Sequence, residues 1–293
     1  MTTLHIPQSY YKHAMATSAA DRWSTAATAG YSTSVARSTT RSASRIIELA
    51  RERKPIDETS AVLDVGAGSG AVALEVALGA PSTKVLATDI SESMLDNVEK
   101  AGLANVSTLV ADVSHLGTAL HQQAGHGFSH IFCTFMLQTI TTPQQAVEEM
   151  TALLRPGREG GVLSIGIWGK PVGPFTIWER ACQRIDPSYR LPPPFDDPQA
   201  WRTCQELSDG FSRAGLVGIH CEEVIVPFPF ASAEAFSDFW FHGLNPAAVK
   251  CMSNWPSSDM DKAQQAVLGV AREEFGNGKD VFTCAVLGIA SKP

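Results

Sequence analysis

No run of five basic residues occurs in this 293-residue sequence, and no helix-like stretch is rich in Lys and Arg. Acidic residues outnumber basic ones, 30 to 23, for a formal charge of -7. Nucleic acid and anionic membrane are held mainly by Lys and Arg, so neither is an expected partner; free nucleosides and metabolites remain open. The six cysteines, Cys133, Cys182, Cys204, Cys221, Cys251 and Cys284, form no CxxC pair, and several sit in apolar runs. That argues against a disulfide framework or a zinc site and for reduced, buried thiols in a cytoplasmic protein, with no metal expected. No apolar run reaches about 18 residues, and "MTTLHIPQSYYKHAM" has no hydrophobic signal core, so a soluble protein is expected. A repeat of about 20–50 residues is also missing. Charged residues make up only 18% of the chain against 44% hydrophobic, enough for one full core and a smaller accessory layer.

What is present is an alternation of short apolar runs with helix-like segments. Strands are expected at 61–65, 84–90, 106–112, 129–137 and 160–168. Between them lie a helix over about 71–79, one capped by Ser91 and stopped at Gly102, and one with Thr142 as cap, Pro143 first and Gln145 completing a capping box. Strands separated by helices mean βαβ units and a parallel sheet, which binds ligands at the carboxyl ends of its strands. After residue 168 the rhythm changes. A proline-rich stretch holds one helix near 175–185; a helix at about 204–214, a strand at 216–226, an aromatic helix opening at 228–246, a helix over about 258–275 and a strand at 281–290 follow. The fold class expected is α/β, a Rossmann-like, mostly parallel sheet of seven strands with helices on both faces. The irregular segments form a cap. The chain reads as one domain, 1–293: an N-terminal lid (1–55), a core (56–168), cap insertions (169–206 and 227–278) and C-terminal strands (216–226 and 281–290).

The most informative stretch is "LDVGAGSGAVALEVA", residues 63–77, with three glycines in five positions. A nucleoside triphosphate would want GxxxxGK[ST], and that lysine is missing. A nicotinamide dinucleotide would want GxGxxG or GxGxxA; Gly66, Gly68 and Ala71 fit, with Asp89 about 20 residues on. S-adenosylmethionine, with a ribose and an adenine but no phosphate, is the third candidate. Asp64 at the mouth of the loop opposes a pyrophosphate but suits an ammonium or sulfonium. Asp89 ends the second strand, where a carboxylate can accept from ribose hydroxyls. Asp112 ends the third, where it or its neighbour can hold an adenine amine. Each has a plainer alternative: Asp64 and its glycine loop as tight packing alone, Asp89 as a helix-start residue, Asp112 as a turn residue.

"VLDVGAGSG", "LATDIS", "VADV" and "LLRPGREGGVL" resemble the successive motifs of class I S-adenosylmethionine-dependent methyltransferases over residues 61–168. The resemblance implies the cofactor S-adenosylmethionine and a seven-stranded sheet whose last strand is antiparallel. It implies that Gly66, Ala67 and Gly68 pack against the methionine and ribose, Asp89 holds the ribose, and Ile90 lies against the adenine; Asp64 joins them as a cofactor-binding candidate on the reading above. Asp112 and Val113 flank the adenine amine, and Thr134 and Phe135 line the methionine side. In length, cap placement and the ending "VLGIASKP", the whole chain is similar to fungal small-molecule methyltransferases of secondary metabolism, such as the gliotoxin thiomethyltransferase.

The acceptor is expected near Gln138 and Trp168, at the ends of the fourth and fifth strands, with Phe239 and Trp240 of the aromatic segment as a wall. Such a wall selects a small, partly apolar molecule. A sulfonium methyl is already activated, so alignment does most of the work, about 7–11 kcal/mol. A general base is needed only for a weakly acidic acceptor; His13 and His242 are the candidates. "PPPF" at 192–195 follows the wrong strand to be an amino-methylating signature and reads as a rigid loop. The function expected is methyl transfer to S or O of a small metabolite by a monomer or homodimer. The alternatives are a regulatory or non-methylating protein on the same fold and a nicotinamide oxidoreductase.

Overall fold

A computed structural model describes residues 18–21, 23, 31–120, 127–157, 160–192, 201–242, 245–275 and 281–293. Contacts divide the chain into two units. The larger comprises Thr39–Lys170, Asp196–Val226 and Cys284–Pro293; the smaller comprises Met1–Ser38, Pro171–Phe195 and Pro227–Thr283.

Seven strands form one sheet: β1 (Ala61–Val65), β2 (Lys84–Asp89), β3 (Val106–Val110), β4 (His130–Thr134), β5 (Val162–Val172), β6 (Val217–Phe228) and β7 (Val281–Ser291). Their order is β3-β2-β1-β4-β5-β7-β6. The pairs among β1 to β5 are all parallel, and Leu63 of β1 lies level with Leu86 of β2 and Ile131 of β4. Central parallel strands are covered on both faces, which is why "AVLDV" is an apolar run and not an alternation. Against β5, β7 runs the other way: Gly161 takes a hydrogen bond from the Lys292 amide, Gly166 faces Leu287, and Gly169 faces Cys284. The sheet is the α/β, Rossmann-like, mostly parallel sheet expected.

Helices α2 (Ala71–Gly79), α3 (Glu92–Lys100) and α4 (Pro143–Leu153) fill the connections. Ser91 caps α3 as expected, its hydroxyl accepting from the Met94 amide. Thr142 does not cap α4 with its side chain, so the capping box read from the sequence is not made; Pro143 alone marks the start, with its fixed φ. Strand β4 stops at Thr134, not at 137, and residues 137–139 form a 3-10 turn.

The long helix α1 (Tyr31–Arg53) was not anticipated inside its Ser/Thr-rich segment. In the larger unit Ala43, Ile46, Ile47 and Ala50 are buried along one helical stripe. Arg45 of α1 holds Glu222 of β6 in a two-point ion pair, Nε to Oε1 at 2.7 Å and Nη2 to Oε2 at 3.0 Å.

The smaller unit contains α5 (Gly173–Gln183), α7 (Ala233–Phe241), α8 (Pro246–Ser253) and α9 (Met260–Phe275); α6 (Cys204–Arg213) belongs to the larger. Trp178 of α5 stacks on Trp240 of α7 at 4.6 Å between centroids, and Phe175 meets that ring edge-on. Arg184, just past the end of α5, forks onto Glu273 of α9. Helix α8, unread from sequence, is capped by Asn245, whose Oδ1 accepts from the Ala247 and Ala248 amides. Among the described residues no helix is long and apolar enough to cross a membrane.

Candidate cofactor site

The strand order reverses between β1 and β4, and in such sheets ligands bind where that happens, beyond the carboxyl ends of the strands. The loops leaving β1 and β4 therefore define the candidate site, and both lie in the larger unit.

Asp64 is the unusual member of β1. It is a carboxylate in a central strand, almost wholly buried. One oxygen, Oδ2, accepts from the Ala73 amide in the first turn of α2 at 2.9 Å. The other, Oδ1, is buried with no partner. Burial raises the pKa to about 7, opposed by that amide and assisted by the nearby Asp89 carboxylate. A buried, unsatisfied acceptor costs about 1–3 kcal/mol. A cationic ligand group at Oδ1 would relieve both penalties.

The loop after β1 turns on left-handed glycines, Gly66 at φ 68° and Gly68 at φ 53°. Beyond Gly66 stands Met136, from the loop after β4. Gly68 opens onto empty space: a β-carbon there would find no atom within 4 Å. The turn is fastened from β2. The Ala67 amide donates to the Thr88 carbonyl, and the Gly68 amide donates to Asp89 Oδ2, each at 2.9 Å. Asp89 Oδ1 accepts from the Ser91 amide at 2.9 Å. Desolvation raises the Asp89 pKa and the amides lower it, with burial the larger influence. Each oxygen keeps a lone pair for a ligand hydroxyl. A bare glycine facing open space, a half-exposed carboxylate and an orphaned buried acceptor fit a ligand with hydroxyls and an ammonium.

Ile90, next to Asp89, is half-buried. Asp112 is exposed; its Oδ1 accepts from the Ser114 amide and caps a 3-10 turn, the plain turn role weighed for it. Val113 is buried in the core cluster with Leu63 and Leu116.

Thr134 ends β4, half-buried. Phe135 follows at φ 60°, and among the described residues it alone of the non-glycines has positive φ. Its amide donates to the Gly166 carbonyl at 2.6 Å, and its ring stacks on Trp168 of β5 at 3.8 Å and 20°. Gln138 was expected to face substrate. Instead it is buried, and its carboxamide is spent on backbone. Nε2 donates to the carbonyls of Trp168 (2.8 Å) and Trp201 (3.0 Å), and Oε1 accepts from the Trp168 amide (2.7 Å). Both amide hydrogens are used.

Phe239, Trp240 and His242 fall in the smaller unit. Phe239 packs edge-on against Phe228 and Phe230. Trp240 has no exposed surface, and its Nε1 has no partner. His242, half-exposed at the end of α7, pairs with Asp238 at 3.1 Å. His13 lies outside the described residues. Among those residues no group of three or more His, Cys, Asp and Glu could hold a metal. Met136, the glycine loop's neighbour, was missed, because nothing in "TFMLQT" signals which side chain turns toward β1.

The comparisons with known proteins fall on this same region. Residues 62–157 match the family described as a methyltransferase domain. A ubiquinone/menaquinone biosynthesis C-methyltransferase of Bordetella parapertussis is 35% identical over 122 residues, 40% of this chain and 45% of that protein. A demethylmenaquinone methyltransferase of Chlamydia trachomatis is 31% identical over 111 residues, 38% of this chain and 46% of its own. The chain thus spans less than half the length of these relatives. Among solved structures, phosphoethanolamine N-methyltransferase 2 of Haemonchus contortus, in complex with S-adenosyl-L-methionine, superposes with a TM-score of 0.50 at 16% identity. That match covers 85% of this chain and 52% of that one, and it is a likeness of fold. The matched segment begins in β1 and contains Asp64, the glycine loop, Asp89 and Phe135.

Proposed function

We propose that the protein is an S-adenosylmethionine-dependent methyltransferase acting on S or O of a small, partly apolar metabolite. The observation that carries the reading is the orphaned Oδ1 of Asp64, buried beneath a glycine loop with open space at Gly68. A dinucleotide would bring a pyrophosphate against that carboxylate. S-adenosylmethionine brings an ammonium, and it supplies a methyl group already activated on a sulfonium. In this reading Asp64 takes the ammonium, Asp89 accepts from the ribose hydroxyls, and the loop amides fix the carboxylate that does so. The family match over residues 62–157 supports the class of chemistry. The relatives' names favour a second reading of the acceptor, a ring carbon of a quinone-like molecule.

Calorimetry separates donor from dinucleotide. S-adenosylhomocysteine is expected to bind, and NADH and NADPH not to bind at about millimolar concentration. Asp89→Ala leaves ribose hydroxyls and two loop amides unpaired, a loss of about 1–3 kcal/mol, and is expected to weaken S-adenosylhomocysteine by at least about fivefold. Tight NADH binding with no response to S-adenosylhomocysteine would reverse the assignment.

A further inference from the structure

We propose that the stacked pair Phe135–Trp168 is the plate on which a planar acceptor ring lies, and that Gln138 is the positioning residue that holds the plate. The proposal rests on the methyltransferase reading for the word acceptor, and on unit-internal geometry for the plate itself.

Phe135 occupies a backbone conformation that glycine or asparagine would adopt at lower cost. Such strain persists only where the surroundings over-determine it, and it clusters at ligand sites. Here the surroundings are the hydrogen bond from its amide to Gly166 and the ring contact with Trp168. What the strained φ achieves is a ring laid flat on Trp168 in a residue that is only half-buried. It does so at the carboxyl end of β4, one residue from the Met136 side chain that covers Gly66. One face of Phe135 is used by Trp168; offset stacking on the other needs a flat partner.

Gln138 explains why Trp168 does not yield. Its three hydrogen bonds, two to Trp168 and one to Trp201, are all to backbone. The pair to Trp168 imitates a neighbouring strand, fixing β5 at Trp168, just beyond Gly166, where its pairing with β4 ends. A buried carboxamide this fully spent cannot touch substrate; it acts through the residue it grips.

The test uses the full chain with S-adenosylhomocysteine present at saturation and two probes, 2-naphthol and decahydro-2-naphthol, measured by equilibrium dialysis. The saturated probe is the more apolar, so burial alone favours it. A stacking plate is expected to reverse that, binding 2-naphthol up to about tenfold tighter. In Gln138→Leu the preference is expected to fall below about twofold while S-adenosylhomocysteine affinity stays within about threefold. Phe135→Leu keeps an apolar side chain but no flat ring: the preference is expected to disappear while decahydro-2-naphthol affinity stays within about threefold. Equal binding of the two probes to the unmodified protein overturns the plate. A folded Gln138→Leu that keeps the full preference overturns the positioning role, and if that variant fails to fold, Gln138→Glu, which keeps the bond accepted from the Trp168 amide and loses both donated ones, decides by the same ratio. Should S-adenosylhomocysteine not bind the unmodified protein, the donor reading fails separately, and the probe ratio measured without it still decides the plate.

Discussion

A β-carbon placed on Gly66 would stand 2.7 Å from Cγ of Met136. The loops after β1 and β4 therefore touch at the point where the strand order reverses, and Gly66 is required twice, once by its left-handed φ of 68° and once by the methionine. Gly66→Ala is expected to cost about 1–2 kcal/mol for the left-handed backbone and more for the contact. Met136 is flexible and can give way in part. Urea denaturation of Gly66→Ala and of Gly66→Ala with Met136→Ala should show the second change restoring part of the loss. A double variant no more stable than the single one would mean that the contact carries no strain.

The parts of the fold that were legible are those where local sequence and burial agree. "AVLDV", "KVLATDI" and the C-terminal "VFTCAVLGIA" are apolar runs because their strands are covered, and their ends fell within a residue or two. Asp64 and Asp89 stood out because carboxylates in apolar strands need a reason. Helix α1 was hidden because "STSVARSTTRSASR" has poor helix propensity and is held by burial of Ala43, Ile46, Ile47 and Ala50. The left-handed Phe135 was hidden because no glycine marks it. Gln138 was read as substrate-facing because a polar residue at a strand end looks free until the backbone it grips, thirty residues on at Trp168, is in view.

On the proposed reading, in which Asp64 takes the donor's ammonium, donor affinity depends on pH. Its folded pKa is raised to about 7, above the ordinary carboxylate value, and only the ionised form attracts an ammonium. Affinity for S-adenosylhomocysteine is therefore expected to rise between pH 5.5 and about 7 and then level off, by up to about tenfold per pH unit on the rising limb. Binding on that limb should release protons, detectable by calorimetry in buffers of different ionisation enthalpy. Asp64→Asn keeps the Ala73 hydrogen bond and removes the charge, so its affinity should be lower and flat with pH. A sloping profile in Asp64→Asn would place the titrating group elsewhere.

His130 gives the opposite sign in stability. Its ring is buried in β4. Nε2 lies 3.0 Å from the Lys54 carbonyl, which can only accept, so Nε2 carries the hydrogen and Nδ1 faces the Ser129 hydroxyl at 2.9 Å. Burial lowers its pKa from 6.5 to about 4. A depressed folded pKa contributes stability above the unfolded value that is lost as pH falls through the folded one, here between about 6.5 and 4, to a total of about 3 kcal/mol. Asp64, raised from 3.8 to about 7, works against it, since its stabilising protonated form is gained over much the same window. The unmodified protein should thus show a shallow acid slope. Removing either residue should expose the other: His130→Gln becomes more stable as pH falls from 7 toward 4, and Asp64→Asn less stable. Identical slopes in the two variants would exclude this opposition.

Trp240 decides between a wall and a core. The ring is fully buried in the smaller unit, stacked on Trp178 with Phe175 at its edge, and its Nε1 hydrogen has no partner. As a core residue, Trp240→Ala should cost about 3–5 kcal/mol of stability. Trp240→Phe keeps most of the aromatic contact and removes an unsatisfied buried donor, itself a cost of about 1–3 kcal/mol, so it should be nearly neutral in urea denaturation. A residue lining an acceptor pocket predicts a different pattern: Trp240→Ala stays folded, donor affinity holds, and the acceptor KM rises. The two variants, followed by denaturation and by S-adenosylhomocysteine calorimetry, separate these cases. The core assignment is overturned if the alanine variant loses less than about 1 kcal/mol, because a void left by an indole in close-packed surroundings cannot be that cheap.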